Sequence, residues 1–184
     1  MTTIYFIRNA ECENLQDATS EFSAEGQKEL TAIQGFFHDQ KLDAVYLSSQ
    51  KNAAKTMEFI TNKEDIPVYV TEEFNERKIG QRVANLTSFS RRQWAEQEYK
   101  LNQGENLIDV QDRMIDGLEK VVTINKDQTT LICTHSFALA TLIQFFDETF
   151  SFEEYQRTNS IRPWIVKMEF DGKTLLALEE IRCV

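Results

Sequence analysis

Short apolar runs alternate along this chain with longer stretches in which apolar residues recur three or four apart. Ile4 to Ile7 is continuous and apolar and stops at Arg8. Such a run reads as a strand buried on both faces. Ser23 then stands ahead of a helical pattern with Leu30, Ile33, Phe36 and Phe37 on one face, and its hydroxyl suits an N-cap. Asp43 to Leu47 is a second short strand ending at Ser48-Ser49, followed by a helix through Ala53, Ala54, Met57, Phe59 and Ile60. Pro67 to Val70 is a third strand. Residues 72 to 102 are the least regular part, polar and aromatic, and read as a helical insertion or lid. Glu105 to Ile124 is a long amphipathic helix through Leu107, Val110, Met114, Leu118 and Val121. Leu131 to Cys133 is a buried strand, and Phe137 to Phe146 a helix. The stretch from Thr130 to Phe146 is the most apolar in the chain. Thr134-His135-Ser136 interrupts it, and it is too short and too polar to span a bilayer. Ile165 to Phe170 and Thr174 to Ile181 flank Asp171-Gly172, a hairpin turn signal.

Strands alternating with helices predict an α/β fold: three layers, a mostly parallel central sheet and helices on both faces. With no repeat, low-complexity tract or Pro/Gly-rich linker, residues 1 to 184 read as a single domain carrying the 72 to 102 insertion. Composition narrows the function. Thirty acidic residues against 20 basic ones give a net charge of −10, which argues against nucleic acid or an anionic membrane as partner. Two histidines and three scattered cysteines, Cys12, Cys133 and Cys183, offer neither C-x-x-C nor H-E-x-x-H spacing. No metal site and no cofactor are therefore expected. The odd cysteine count and the lack of a signal-peptide pattern point to a reducing cytoplasm.

In sheets of this kind ligands bind beyond the carboxyl ends of the strands. That rule selects Arg8 and Asn9 after the first strand, Ser48, Ser49, Lys51 and Asn52 after the second, and Thr134, His135 and Ser136 after the fourth. A cation, a histidine and small polar groups converging on one rim suit a phosphoryl group.

Ordered blocks then carry a family resemblance. Ile4-Tyr5-Phe6-Ile7-Arg8-Asn9-Ala10-Glu11 resembles the opening strand and R-H-G/A motif of the histidine phosphatase superfamily, the phosphoglycerate mutase-like proteins. Asp43 to Tyr46 with Ser48 to Thr56 resembles the D-x-V-Y-x-S-P-x-x-R-A-x-x-T block. Phe74 to Gly80 resembles L-x-E-x-x-x-G, Gly104-Glu105-Asn106 resembles G-E-S/T, and Leu131 to Ser136 resembles the late strand ending in H-G. The resemblance implies a phosphatase or phosphomutase ancestry. In that family a histidine after the first strand becomes phosphohistidine, two arginines clamp the phosphate, a second histidine stabilises the transferring group, and a glutamate donates the proton.

This chain keeps Arg8, and it matches the acid with Glu76 and the second histidine with His135. Asn9 stands at the nucleophile position, Asn52 at the second arginine, and Ser136 at the glycine after the second histidine. A carboxamide nitrogen has its lone pair delocalised into the carbonyl, so Asn9 is no nucleophile for phosphorus. Asn52 lacks the charged fork of an arginine. The expectation is a degenerate, pseudo-phosphatase member. It would still bind phosphate or a small phosphorylated molecule through Arg8, Asn52 and Ser136.

Other readings stay open. Glu76, His135 and Arg8 could run a phosphomonoesterase by a route without phosphohistidine. The chain could be an interaction protein with no anion site. The two asparagines could have been introduced into an active phosphatase. A protein partner is left unspecified. His38 is expected to face solvent, and Cys12 and Cys133 to lie near the rim without a C-x5-R cradle to activate them. Arg91-Arg92 is either a solvated turn or a source of replacement cations above the pocket. Glu72-Glu73 and Glu179-Glu180 are expected on solvated faces.

Overall fold

The computed structural model describes residues 1–13, 20–61 and 65–183. Its centre is one six-stranded sheet in the order β3-β2-β4-β1-β5-β6. The strands are β1 (Thr2–Arg8), β2 (Ala44–Ser48), β3 (Val68–Thr71), β4 (Thr129–Thr134), β5 (Ile165–Asp171) and β6 (Thr174–Ile181). β1 pairs with β4, and β2 with β4 and β3, all in parallel. The terminal β5–β6 hairpin adds antiparallel pairs beside β1. The hairpin turns through Gly172 at φ 56°, a left-handed position that glycine adopts without steric cost.

Alternation along the strands builds two apolar layers. Ile4, Phe6, Ala44, Tyr46, Ile132, Val166 and Met168 face one side. There they meet α4 (Leu107–Ile124), α5 (Ser136–Phe146) and α6 (Phe152–Thr158). Tyr5, Ile7, Val45, Leu47, Leu131 and Cys133 face the other side. They meet α1 (Ala24–Phe37) and α2 (Lys51–Thr61). Helices therefore cover both faces, as the run-and-period pattern predicts.

The helix starts follow local chemistry. Ser23 caps α1 by accepting from the Gly26 N–H. Asn106 and Asp109 form a reciprocal capping box at α4, so that helix opens two residues later than the periodicity suggests. Within 72 to 102 the structure has a 3-10 turn over Glu72–Phe74 and one helix, α3 (Leu86–Ala95). The helix α6 was not among the sequence expectations. Its seven residues are too few to establish a period, and only the Ser151 cap marks its start. Among the described residues no helix is long and apolar enough to cross a membrane.

Candidate functional site

Strand ends and the turns after them place the chemistry. The Asn9 N–H donates to Thr134 O (2.9 Å) and the Arg8 N–H to Trp164 O (3.1 Å). The end of β1 is thereby wedged between β4 and the start of β5. Thr134 Oγ1 donates to Phe74 O (2.7 Å), which ties the tip of β4 to the turn that carries Glu76. One cavity of about 630 Å³ opens at this rim, and Arg8, Asn9, Asn52, Glu76, His135 and Ser136 all line it. These six are thus brought together with Ser49 and Lys51, whereas Ser48 and Thr134 do not line the cavity and instead bond to His135 and to Phe74 O.

Their bonding differs from residue to residue. Arg8 is buried, and its guanidinium donates to Thr158 O (3.1 Å) and Ile161 O (2.6 Å). Burial lowers its pKa to about 10, which leaves it charged at neutral pH. Asn9 Nδ2 donates to the carbonyl of Ala10 at 3.2 Å. Asn52 Oδ1 and Ser136 Oγ are buried and, among the described residues, have no hydrogen-bond partner.

Glu76 is no solvated carboxylate. Oε2 accepts from the Phe137 N–H (2.9 Å), and Oε1 accepts from the N–H groups of Ala138 (3.1 Å) and Arg77 (2.9 Å). Phe137 and Ala138 are in the first turn of α5, whose orphan N–H groups and dipole favour a negative charge. The carboxylate therefore serves as the cap that α5 lacks from its own N-cap, His135.

His135 Nε2 lies 2.6 Å from Ser48 Oγ, both groups buried. Burial is the main cause that pulls its pKa down to about 4; Arg113 adds to this and Glu76 opposes it. The ring is neutral at pH 7. A histidine held neutral in the folded state but titrating near 6.5 when unfolded stabilises the fold above pH 6.5. That contribution is lost as pH falls from 6.5 towards 4. The full loss is about 3 kcal/mol. Urea unfolding at pH 7 and pH 4.5 should therefore show a smaller acid penalty in His135→Gln than in the unaltered chain. Equal penalties would contradict the assignment.

Several cavity residues had no role in the sequence reading. Arg77 is buried with Nη1 on Gln93 Oε1 and Nη2 on Ser90 Oγ, both at 2.6 Å, and its guanidinium lies 3.8 Å over the Phe137 ring. It sits beside Glu76 in the third block, and that adjacency was the available signal. Arg162, Glu11 and Tyr155 also line the cavity. Arg162 lies in the 147 to 164 stretch, where no motif or strong period marks it.

Other expectations are corrected. Arg91 and Arg92 supply no cation to the cavity. Arg91 pairs with Glu153 (3.3 Å) over the Phe152 ring, and Arg92 pairs with Glu96 (3.4 Å) over Tyr99. Both lie on the outer side of α3, because Ser90 and Gln93 take its buried face. Cys133 is not at the rim; its side chain packs in the α1–α2 layer, where burial pushes the thiol far up. Cys12 does line the cavity, and burial raises its thiol too. Glu72 and Glu179 are exposed, as expected, while Glu73 and Glu180 are half-buried and ion-paired with Lys120 and Arg157. His38 is largely exposed, as expected.

A mixed sheet between two helical layers, with its polar cavity at the parallel strand ends, defines an α/β protein of the phosphoglycerate mutase-like fold. The family model of the histidine phosphatase superfamily (branch 1) matches residues 4–178, and the chain belongs to that family. Among solved structures, the chain is similar to Bacillus stearothermophilus YhfR at 23% identity, with 95% of this chain and 94% of that one covered and a TM-score of 0.77. It is also similar to Entamoeba histolytica phosphoserine phosphatase in complex with 3-phosphoglyceric acid, at 17% identity, 97% and 96% coverage and a TM-score of 0.76. A third similar structure is mycobacterial glucosyl-3-phosphoglycerate phosphatase, at 14% identity, 98% and 97% coverage and a TM-score of 0.70. Among curated proteins no match was found.

Proposed function

We propose that this protein is a degenerate histidine phosphatase that binds phosphate or a small phosphorylated ligand without phosphohistidine chemistry. The observation that carries the reading is Asn9 on the cavity wall beside Arg8, at the position where the family places its nucleophile. An amide there can hydrogen-bond but cannot attack phosphorus. The hydrogen bonding of Glu76 supports the same reading. Its oxygens accept three backbone N–H bonds, so the carboxylate is engaged in holding the start of α5.

Anion binding is supported by the charge of the wall. Arg8, Lys51, Arg77 and Arg162 line the cavity against Glu11 and Glu76, a local positive excess inside an acidic protein. The thermal unfolding midpoint in phosphate tests this at constant pH and ionic strength, with chloride as control. For a millimolar Kd, a ten-fold excess of phosphate raises Tm by roughly 3–5 °C. An unchanged Tm would favour an interaction protein with no anion site.

A further inference from the structure

We propose that Arg162 is the second phosphate-binding cation of this cavity, supplied by the connection between α6 and β5, and that Glu11 and Glu29 hold it in check. The inference rests on reading the cavity as an anion site. It says which residue does the work that an arginine at position 52 would do, and what restrains it.

Position comes first. Arg162 lines the cavity and is 27% exposed, so its guanidinium is within reach of a bound anion. It stands next to Arg8, whose Nη2 donates to the carbonyl of Ile161, the residue immediately before it. The two guanidinium groups thus flank one end of the cavity. Asn52, on the first turns of α2, brings no charge.

The other cations are less suited. Arg77 is buried, with its guanidinium stacked over Phe137 and both terminal nitrogens turned inward to Gln93 and Ser90. Lys51 is exposed at the mouth and is a point charge without a planar fork. Arg162 has five N–H donors and spends one on Glu29, while Glu11 is held as an ion pair at 3.2 Å, so unspent donors remain for phosphate oxygens.

The restraint is built in. Arg162 Nη1 meets Glu29 Oε1 at 2.8 Å, and Nη2 meets Glu11 Oε1 at 3.2 Å. Glu29 is 1% exposed, and its second oxygen has no partner among the described residues. Such a carboxylate depends on Arg162, because an unpaired buried charge is costly. Glu11 is locked in turn. Its Oε2 accepts from Ser23 Oγ at 2.7 Å, and its carbonyl packs so closely on Gly26 that a Cβ there would stand 2.0 Å away. Both carboxylates are fixed before any ligand arrives, and a phosphate must compete with them for one guanidinium.

The test is phosphate titration by calorimetry at pH 7.5 and low salt, with denaturant unfolding to confirm that each variant is folded. Glu29→Gln and Glu11→Gln remove a competitor, and each should tighten phosphate binding roughly 3- to 10-fold. Arg162→Gln/Glu29→Gln leaves no unpaired carboxylate at position 29 and should bind phosphate at least about 10-fold more weakly than the unaltered chain. Arg162→Lys keeps a charge near Glu29 and loses the fork, so it should weaken binding by a smaller factor; this variant serves if the double variant does not fold. Unchanged binding in both Arg162 variants would overturn the assignment while leaving the anion site standing. Unchanged binding in both Gln single variants would overturn the restraint. Absence of phosphate binding in every protein, the unaltered chain included, would overturn this inference and the anion site together.

Discussion

Asn9→His/Asn52→Arg is expected to hydrolyse p-nitrophenyl phosphate at least about 10³-fold faster than the unaltered chain, because a missing nucleophile typically costs several orders of magnitude. The argument is structural. Asn9 directly follows β1, whose backbone is pinned on both sides, so an imidazole placed there would start from the rim of the cavity. The cavity of about 630 Å³ leaves room for the larger ring. Arg8 stands before it and His135 shares the cavity. Position 52 is at the start of α2, so an arginine there would add charge where the unaltered chain has an amide oxygen without a hydrogen-bond partner among the described residues. Each single variant should recover less than the pair, since nucleophile and clamp act on the same phosphoryl group. A double variant that folds, binds phosphate and shows no gain would mean that Glu76 or Ser136 also blocks the chemistry.

The second large effect concerns stability. Phe74→Ala should destabilise the fold by about 3–5 kcal/mol. Phe74 is fully buried, sits edge-on to Phe6 with ring centroids 6.4 Å apart, and presses on α4 at Gly117. A Cβ on Gly117 would come within 3.0 Å of the Phe74 ring, so the ring depends on that bare stretch of helix. Its carbonyl also accepts the Thr134 bond that ties β4 to the Glu76 turn. Truncation therefore opens a cavity beneath the site as well as removing apolar contact. Urea unfolding measures the loss, and a cost below about 1 kcal/mol would show that the layer collapses around the gap. The same Thr134 link couples this core position to the geometry of the rim.

Much of this architecture is written in local patterns. Ile4 to Ile7 and Leu131 to Cys133 are buried on both faces, and a parallel strand leaves that signature of unbroken apolarity. The Ser23 cap and the Asp171-Gly172 turn act through neighbours a few residues away, so they too could be read in advance. The six rim residues could be chosen because strand ends and ordered blocks fix them independently of long-range contacts.

What could not be read depends on partners distant in sequence. Glu76 meets α5 some 61 residues later, and Arg162 meets Glu29 across 133. Nothing in either neighbourhood announces those bonds. The sequence left Arg91-Arg92 open between a solvated turn and a cation source above the cavity. The structure places both on a helix and rules out the cation source, because the α3 face that packs inward belongs to Phe89, Ser90 and Gln93. The helix α6 was too short for periodicity to speak, although Tyr155 from that helix helps line the cavity.

The most direct test of the account is a search for a phosphoenzyme on the unaltered chain. The protein is incubated with a labelled phosphomonoester, quenched in base to preserve phosphohistidine, and analysed by mass spectrometry alongside a steady-state assay with p-nitrophenyl phosphate. The account predicts no covalent phosphate on any residue and turnover indistinguishable from background, with Asn9→His/Asn52→Arg giving a trapped adduct at position 9. Vigorous turnover by the unaltered chain, with phosphate trapped on His135 or any other side chain, would contradict it.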